Sequence, residues 1–309
     1  MKPLHISPSG KWLFHATPQG NVMVWDLSGG TLHAVCDGLW IGHSLDEEHL
    51  LTQTPEGVKA WNLPRGEEEP LALLKAELFA LHQRVVVRKQ PYTLQLDLLD
   101  VLTGEMVLNL RFEQDPRYHP RLEACALAPD DRSLLITLAG EFGGQAWAHG
   151  YVLGVPGGAR RVKFKVNRHQ PPAFFAFTAQ PFQVLLQDEM YHLTVLNLEQ
   201  DRFEQDVWVS GFSGAAAFFP LLPAVLAVSV WEPIVDPAIS PFSVQFLDLR
   251  RTSGERMRRA AVIAVFQESQ PVHDMIFTPD GQTLAVLVST GAIHLWNLAQ
   301  GRIERTLEL

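Results

Sequence analysis

Apolar residues run along this chain in short stretches separated by turn residues, with no long helical period. The stretch Phe277–Leu298, FTPDGQTLAVLVSTGAIHLWNL, shows the unit. A Thr-Pro-Asp-Gly turn precedes an apolar run, a Ser-Thr-Gly turn follows, and a second run ends in Trp-Asn-Leu. In Ser/Thr-Pro-x-Gly, proline presets φ at the second turn position and glycine ends the turn without a Cβ clash. Two strands joined in this way form a hairpin. Runs such as AVLAVSV and LAVLV are continuously apolar rather than alternating, as expected of strands buried on both faces.

The unit recurs. Ile6–Gly30 repeats the whole order, Leu50–Gly66 repeats its second half, and Leu127–Gly140 is a weaker copy. The turns Thr17–Gly20 and Thr54–Gly57 are near duplicates. A sharper signal, Asp/Asn-Leu-x-x-Gly, stands at Asp26–Gly30, Asn62–Gly66 and Asn297–Gly301, with Val for Leu at Asp100–Gly104. Gly154 and Gly158 keep the spacing, while Asn197–Asp201 and Asp248–Thr252 replace the final glycine. Asp tolerates the left-handed conformation better than Thr. Seven strand ends result, about 45 residues apart on average, near the repeat of a four-stranded propeller blade.

On these residues the chain resembles the WD40-repeat β-propellers, the best copies being Trp25-Asp26-Leu27, Trp61-Asn62-Leu63 and Trp296-Asn297-Leu298, with the turns Ser7–Gly10 and Thr278–Gly281. The resemblance implies an all-β chain, a seven-bladed β-propeller of four-stranded antiparallel blades. It implies one domain over 1–309, with blades near 1–36, 37–75, 76–113, 114–168, 169–210, 211–265 and 266–309. The family's Gly-His pair survives only as Gly42-His43, out of phase. Packing, more than the His–Ser/Thr–Trp hydrogen-bond network, is therefore expected to hold the blades. The chain starts on an inner strand and ends on an outer one. Each blade is then continuous, and the ring closes by packing the first blade on the last.

Net charge is −9, which argues against a nucleic-acid or membrane binder. The uncharged stretch Val207–Trp231 is long enough to span a bilayer, but Pro220 and Pro223 would break it, and Asp206 and Glu232 flank it. It reads as two buried strands joined by a Pro-Leu-Leu-Pro turn. Cys36 and Cys125 have no CxxC partner, so the reading is two reduced thiols in a cytoplasmic monomer.

Catalytic signatures are few. The sequence has no phosphate-binding loop, no HExxH and no nucleophile elbow. Asp46–His49 reads as a solvated loop, and Glu67–Glu69 as a polar turn. The glycines of Gly140–Gly150 read as a long, flexible connection. In Arg160–Val166, Arg161, Lys163 and Lys165 alternate with apolar residues, which suits an outer edge strand guarded against aggregation or a basic docking stripe.

Aromatic residues gather in segments expected to open on one face of the disc: Trp147 and His149 in a blade-four loop, and Trp231, Glu232, Asp236 and Phe242 in a proline-stiffened blade-six loop. Tyr92 and Tyr191 fall in equivalent loops, and Arg117 and Tyr118 lie between blades three and four. Exposed Trp, Tyr and Arg anchor interfaces. The expectation is a non-catalytic scaffold that binds a protein or peptide there, needs no cofactor or metal, and touches neither nucleic acid nor membrane. The alternative is a propeller enzyme, hydrolase- or lactonase-like, with a metal at the channel mouth. That would need carboxylates and imidazoles converging on inner strands that offer only His5, His273 and Asp274.

Overall fold

In the computed structural model, residues 3–89, 95–112, 121–142, 145–155, 157–166, 175–177, 183–189, 192–197, 202–232, 240–253 and 259–308 are described. They form seven antiparallel sheets, each built from strands consecutive in the chain. Blade one runs from Leu4–Ile6 to Thr31–Asp37, blade two from Leu39–His43 to Glu67–Glu69, and blade three from Val85–Lys89 to Met106–Arg111. Blade four runs from Arg121–Leu127 to Arg160–Val166, and blade five from Phe175–Phe177 to Arg202–Trp208. Blade six runs from Phe212–Phe218 to Arg259–Glu268, and blade seven from Val272–Phe277 to Arg302–Leu307. Glu67–Glu69 is thus an outer strand rather than a turn. The stretch weighed as a membrane span supplies the strands Phe212–Phe218 and Val225–Trp231. No helix among the described residues is long and apolar enough to cross a membrane.

Adjacent residues of one strand serve opposite seams. In blade six, Ala215, Ala217, Val225, Ala227, Val244 and Phe246 pack on blade seven. Their neighbours Ala216, Leu226, Val228 and Leu247 pack on blade five. In blade one, Leu13 and Met23 face blade seven, whereas Phe14, Val22 and Val24 face blade two. Side chains alternate across a strand, so a sheet covered on both sides must be apolar at every position. That is the cause of the unbroken runs.

The turns between third and outer strands show why the glycine recurs. Gly30, Gly66, Gly104, Gly158 and Gly301 donate their N–H groups to the carbonyls of Asp26, Asn62, Asp100, Gly154 and Asn297, at 2.7–2.9 Å. All five have positive φ, between 62° and 72°. Thr252 is not left-handed. Blade six instead carries its third strand on to Ser253 through a register shift between Asp248 and Thr252. Asp201 lies outside the described residues.

The turns after the inner strands repeat with one variation. Gly10, Glu47, Asp131 and Gly281 donate to the carbonyls of Ser7, Ser44, Ala128 and Thr278. Among the described residues, Glu47 and Asp131 are the non-glycine residues with positive φ, at 61° and 58°. Each uses its carboxylate on the preceding blade. Glu47 accepts from the Ser9 N–H and hydroxyl. Asp131 accepts from the backbone N–H groups of Leu81 and His82 at 3.0 and 2.7 Å. The glycine versions leave only packing: an added Cβ would lie 3.3 Å from Pro279 at Gly10 and 2.8 Å from Phe219 at Gly281.

Among the described residues, blade three has three strands rather than the four expected. Where its inner strand would begin, the chain makes three 3-10 turns, Leu71–Leu73, Ala76–Leu78 and Leu81–Gln83. The last two pack on the inner strand of blade two. Leu45 N–H bonds the Leu78 carbonyl at 2.7 Å, and His43 N–H bonds the Gln83 side-chain oxygen at 2.8 Å. Gly42 permits the approach, since a Cβ there would meet Gln83 backbone at 2.2 Å.

Blades one and seven share no strand. The ring closes through an apolar cluster that includes Leu4, Leu13, Trp25, Leu287 and Leu307, and through a buried bond from Leu4 N–H to Asp274 Oδ2 at 2.9 Å. The three repeat tryptophans end differently. Trp61 Nε1 donates to Thr52 Oγ1 at 3.0 Å, and that hydroxyl donates to the Asp37 carbonyl. Trp296 Nε1 donates to the Glu268 carboxylate. Trp25 Nε1 finds no partner among the described residues, and the outer-strand residue beside it in the cluster is Leu307. Packing therefore dominates this seam.

Two predictions follow from the seams and turns. Leu4→Ala should lower the unfolding free energy by about 2–5 kcal/mol, the usual cost of emptying a fully buried leucine site, read by denaturant titration. At Glu47, Ala keeps the left-handed strain and loses both serine bonds, while Gly loses the bonds and relieves the strain. Glu47→Gly should therefore be more stable than Glu47→Ala by about 1 kcal/mol; the reverse order would contradict the strain.

Candidate functional site

In an up-and-down blade the turn between second and third strands lies on the same side as the link to the next blade. On that side stand the strand ends that carry Trp147, His149, Trp231 and Phe242, a setting different from the expected loops. Trp147 and His149 lie in a strand, Gln145–Gly154, paired along its length with Ser133–Phe142. Trp147 is opposite Gly140, and His149 lies between Leu138 and Lys165. Gly140 and Gly150 are paired residues of this long hairpin and not part of the flexible connection expected. His149 and Tyr151 project their rings to one side, 6.3 Å apart, and Tyr151 stands 6.3 Å from Phe112 of blade three. Arg161, Lys163 and Lys165 do lie on the outer edge strand of blade four. Tyr92, Arg117, Tyr118, Tyr191 and Asp236 fall outside the described residues.

The best-defined part of the face is the rim of blade six. Trp231 and Phe242 are not loop residues; they are the last and first residues of paired strands and lie opposite one another. The strand Val225–Trp231 is buried up to its final residue, where Trp231 is 46% exposed. Backbone bonds fix that tryptophan from two sides. Its N–H donates to the Gly211 carbonyl at 2.7 Å, and the N–H of the exposed Glu232 donates to the Pro241 carbonyl at 2.9 Å. Gly211 has φ 73°, and a Cβ there would lie 2.2 Å from the Trp231 carbonyl oxygen. The link from blade five can pass this close only as glycine.

Below this rim sits an arrangement that sequence reasoning missed. Phe242 pairs on its other side with Glu268, the last residue of the outer strand. The Glu268 carboxylate is fully buried. It accepts from the Trp296 indole and from His294 Nδ1, at 2.8 Å for the imidazole. His294 and Trp296 are two apart on a strand and so share a face. The His-x-Trp spacing was the available signal; nothing in the sequence marked Glu268 as its partner. The bond ties the rim of blade six to the third strand of blade seven.

His43 is buried among Trp40 and Phe14, with ring centroids 5.7 and 5.4 Å away, and His5 stacks on Trp40 at 4.2 Å. Burial pulls the His43 imidazole down to about 4, against a partial counter-pull from Glu47, while His82 adds to the lowering. His82 pairs with Asp131 at 2.8 Å, and His49 with Glu69 at 3.0 Å. Among the described residues, no three His, Cys, Asp or Glu side chains come together in a way that could hold a metal ion. Cys36 and Cys125 are unpaired, and burial pushes both thiols up to about 12, so neither is a ready nucleophile.

Known structures place the architecture. The β-propeller domain of Myceliophteria thermophila Cps50 (Swd1) superposes with a TM-score of 0.66 at 13% identity, over 96% of each chain. The fold is a WD40-like β-propeller. No family model and no curated protein matches the sequence. In all, 1251 solved chains match by structure, so the WD40-like fold alone selects no function. What distinguishes this chain must come from its own rims and edges.

His43 gives a testable acid response. Its folded-state value of about 4 lies below the ordinary 6.5. Above pH 6.5 neither folded nor unfolded His43 is charged, and stability is flat for this group. Between pH 6.5 and about 4 only the unfolded state takes the proton, so stability falls, by about 3 kcal/mol in total. His43→Phe keeps the ring among Trp40 and Phe14 and should remove that part of the acid limb. Parallel stability–pH curves for the two proteins would refute the assignment.

Proposed function

We propose that this chain is a non-catalytic scaffold that binds a protein or peptide on the face carrying Trp231. The observation that supports this reading most is that tryptophan itself: a large amphipathic ring, nearly half exposed, on a strand end whose backbone is fixed on both sides. Trp on a rigid support anchors partners at little entropic cost. Glu232 beside it is exposed, and Phe242 opposite is half-buried, giving a small apolar anchor with an acidic neighbour. Prolines 233, 237 and 241 in the connecting segment further reduce the entropy lost on binding. Asp236, His149, Trp147, Tyr92, Tyr191, Arg117 and Tyr118 belong to the same proposed face by their place in the repeat. The basic outer strand of blade four, Arg161, Lys163 and Lys165, is a second contact for an acidic partner.

The unpaired Cys36 and Cys125 fit a reducing, cytoplasmic setting, and the reading takes the protein as a monomer. The alternative is a hydrolase- or lactonase-like propeller enzyme with a metal at the channel mouth, and among the described residues no observation favours it.

A photo-crosslinking amino acid placed at the exposed Glu232, beside an intact Trp231, tests the face, with the same group at Leu45, 59% exposed on the opposite face, as control. The expected result is a discrete partner band from position 232 that the Leu45 site does not give and that Trp231→Ala protein competes poorly against. Identical bands from both sites, or none from 232, would remove the proposal. Trp231→Ala itself should change stability by no more than about 0.5 kcal/mol, as an exposed site away from the core does.

A further inference from the structure

The outer strand of blade six, Arg259–Glu268, RAAVIAVFQE, is unlike the other six. Outer strands are sheet edges with a row of unpaired N–H and C=O groups, and charges along them block pairing with other chains. The outer strands of blades two, four, five and seven carry such charges along their length, as in EEE, RRVKFKV, RFEQDVW and RIERTL. Those of blades one and three are interrupted by His33 and Asn109, whose side chains bond to Leu63 and Asp97. In blade six the run AAVIAVF is unbroken, and Val262, Ile263 and Val265 are 51%, 51% and 46% exposed. The strand is last in its sheet. Among the described residues, no backbone hydrogen bond from outside the sheet reaches positions 260–266.

We propose that this edge receives an extended peptide segment of a partner protein, added antiparallel as a fifth strand, in which an apolar β-branched stretch is followed by acidic residues. Water can satisfy the backbone row one group at a time, but another strand pairs it along its whole length, and the exposed Val and Ile side chains favour apolar β-branched neighbours. Charge selects the rest. The strand opens on Arg259 and carries no further charge before Glu268. The one acid at the other end, Glu268, is withdrawn into its buried bonds with His294 and Trp296. The edge is therefore basic at its start and neutral beyond. A second copy of this chain would bring the same basic start and another net −9, and its antiparallel pairing would gain no ion pair. An antiparallel partner whose C-terminal end is acidic places those acids opposite Arg259. Positions 260–266 run along the outer edge of the blade, away from the face that carries Trp231, and the inference stands whether or not that face binds.

A labelled peptide of alternating Thr and Val ending in a run of Glu is the probe, read by fluorescence polarisation against the full chain. The expected result is saturable binding, weakened about tenfold when the run is Lys instead of Glu, and abolished in Ile263→Lys. Because Ile263 is already half exposed, that variant should melt like the wild type. Amides of residues 260–266 should exchange more slowly with peptide bound, and Trp231→Ala should bind the peptide as well as wild type does. Equal affinity for the Glu and Lys peptides, no added protection in this strand, or Ile263-dependent dimerisation without peptide would each overturn the proposal.

Discussion

Everything in this molecule depends on sheets that are apolar on both faces. Such a sheet has no stable state by itself, because covering one face leaves the other in water. Each apolar cluster resolved here spans two blades and none lies within one. Trp12, Phe14 and Cys36 meet Trp40 and Leu50 across the first seam, and Leu51 and Ala60 meet Phe79 across the second. Leu96 and Leu98 meet Leu134 and Ile136 across the third. The core is a series of walls rather than a single centre, and only a closed ring gives every wall two sides. With about 1.5–3 kcal/mol from each fully buried aliphatic side chain, the seams outweigh any single polar contact between blades.

This explains how the hydrogen-bond network of the tryptophans can vary without loss of the fold. Trp61 uses a threonine, Trp296 a glutamate, and Trp25 nothing, yet all three sit in equivalent places. The same latitude is visible in the turns. A glycine serves where only the left-handed backbone is needed. Glu47 and Asp131 accept the strain of that conformation, about 1–2 kcal/mol, where their carboxylates offset it by bonding to the preceding blade. Polar detail is local and exchangeable; the two-sided burial is not.

The sequence was legible where one residue type answers one geometric demand. Gly30, Gly66, Gly104, Gly158 and Gly301 sit at positive φ because the turn requires it, so their spacing announced the blades. Thr252 could not take that role, and blade six solved the problem with a bulge. Legibility failed where pairing between distant segments decides. The glycines around Trp147 suit a loose loop as well as a close hairpin, and only the register with Ser133–Phe142 separates them. The 3-10 turns of blade three depend on Gly42, some forty residues upstream, leaving room for Gln83. Glu268 reads as an ordinary surface acid at the end of an edge strand until His294 and Trp296 are seen around it. Trp231 and Phe242 flank one proline-rich segment in the sequence, and the register places them at paired strand ends rather than within its loop. Their strand-end position is what makes the tryptophan rigid.

A fold that spends both faces of every sheet on its neighbours leaves little surface free to evolve a partner site. Only the two rims and the outer edges remain. On the rims, chain length is unconstrained and backbone can be fixed by a few bonds, as at Trp231 with Gly211 and at Glu232 with Pro241. On the edges the constraint is the opposite: a strand must be present, so the default is to guard it with charge. A polar or charged residue on an outer strand therefore needs no function to explain it, while an unguarded one is an exposure that selection against aggregation would remove unless something covers it. By that asymmetry the alternating cations of blade four, conspicuous in the sequence, say less about binding than the plain run AAVIAVF, which looks at first like more of the core.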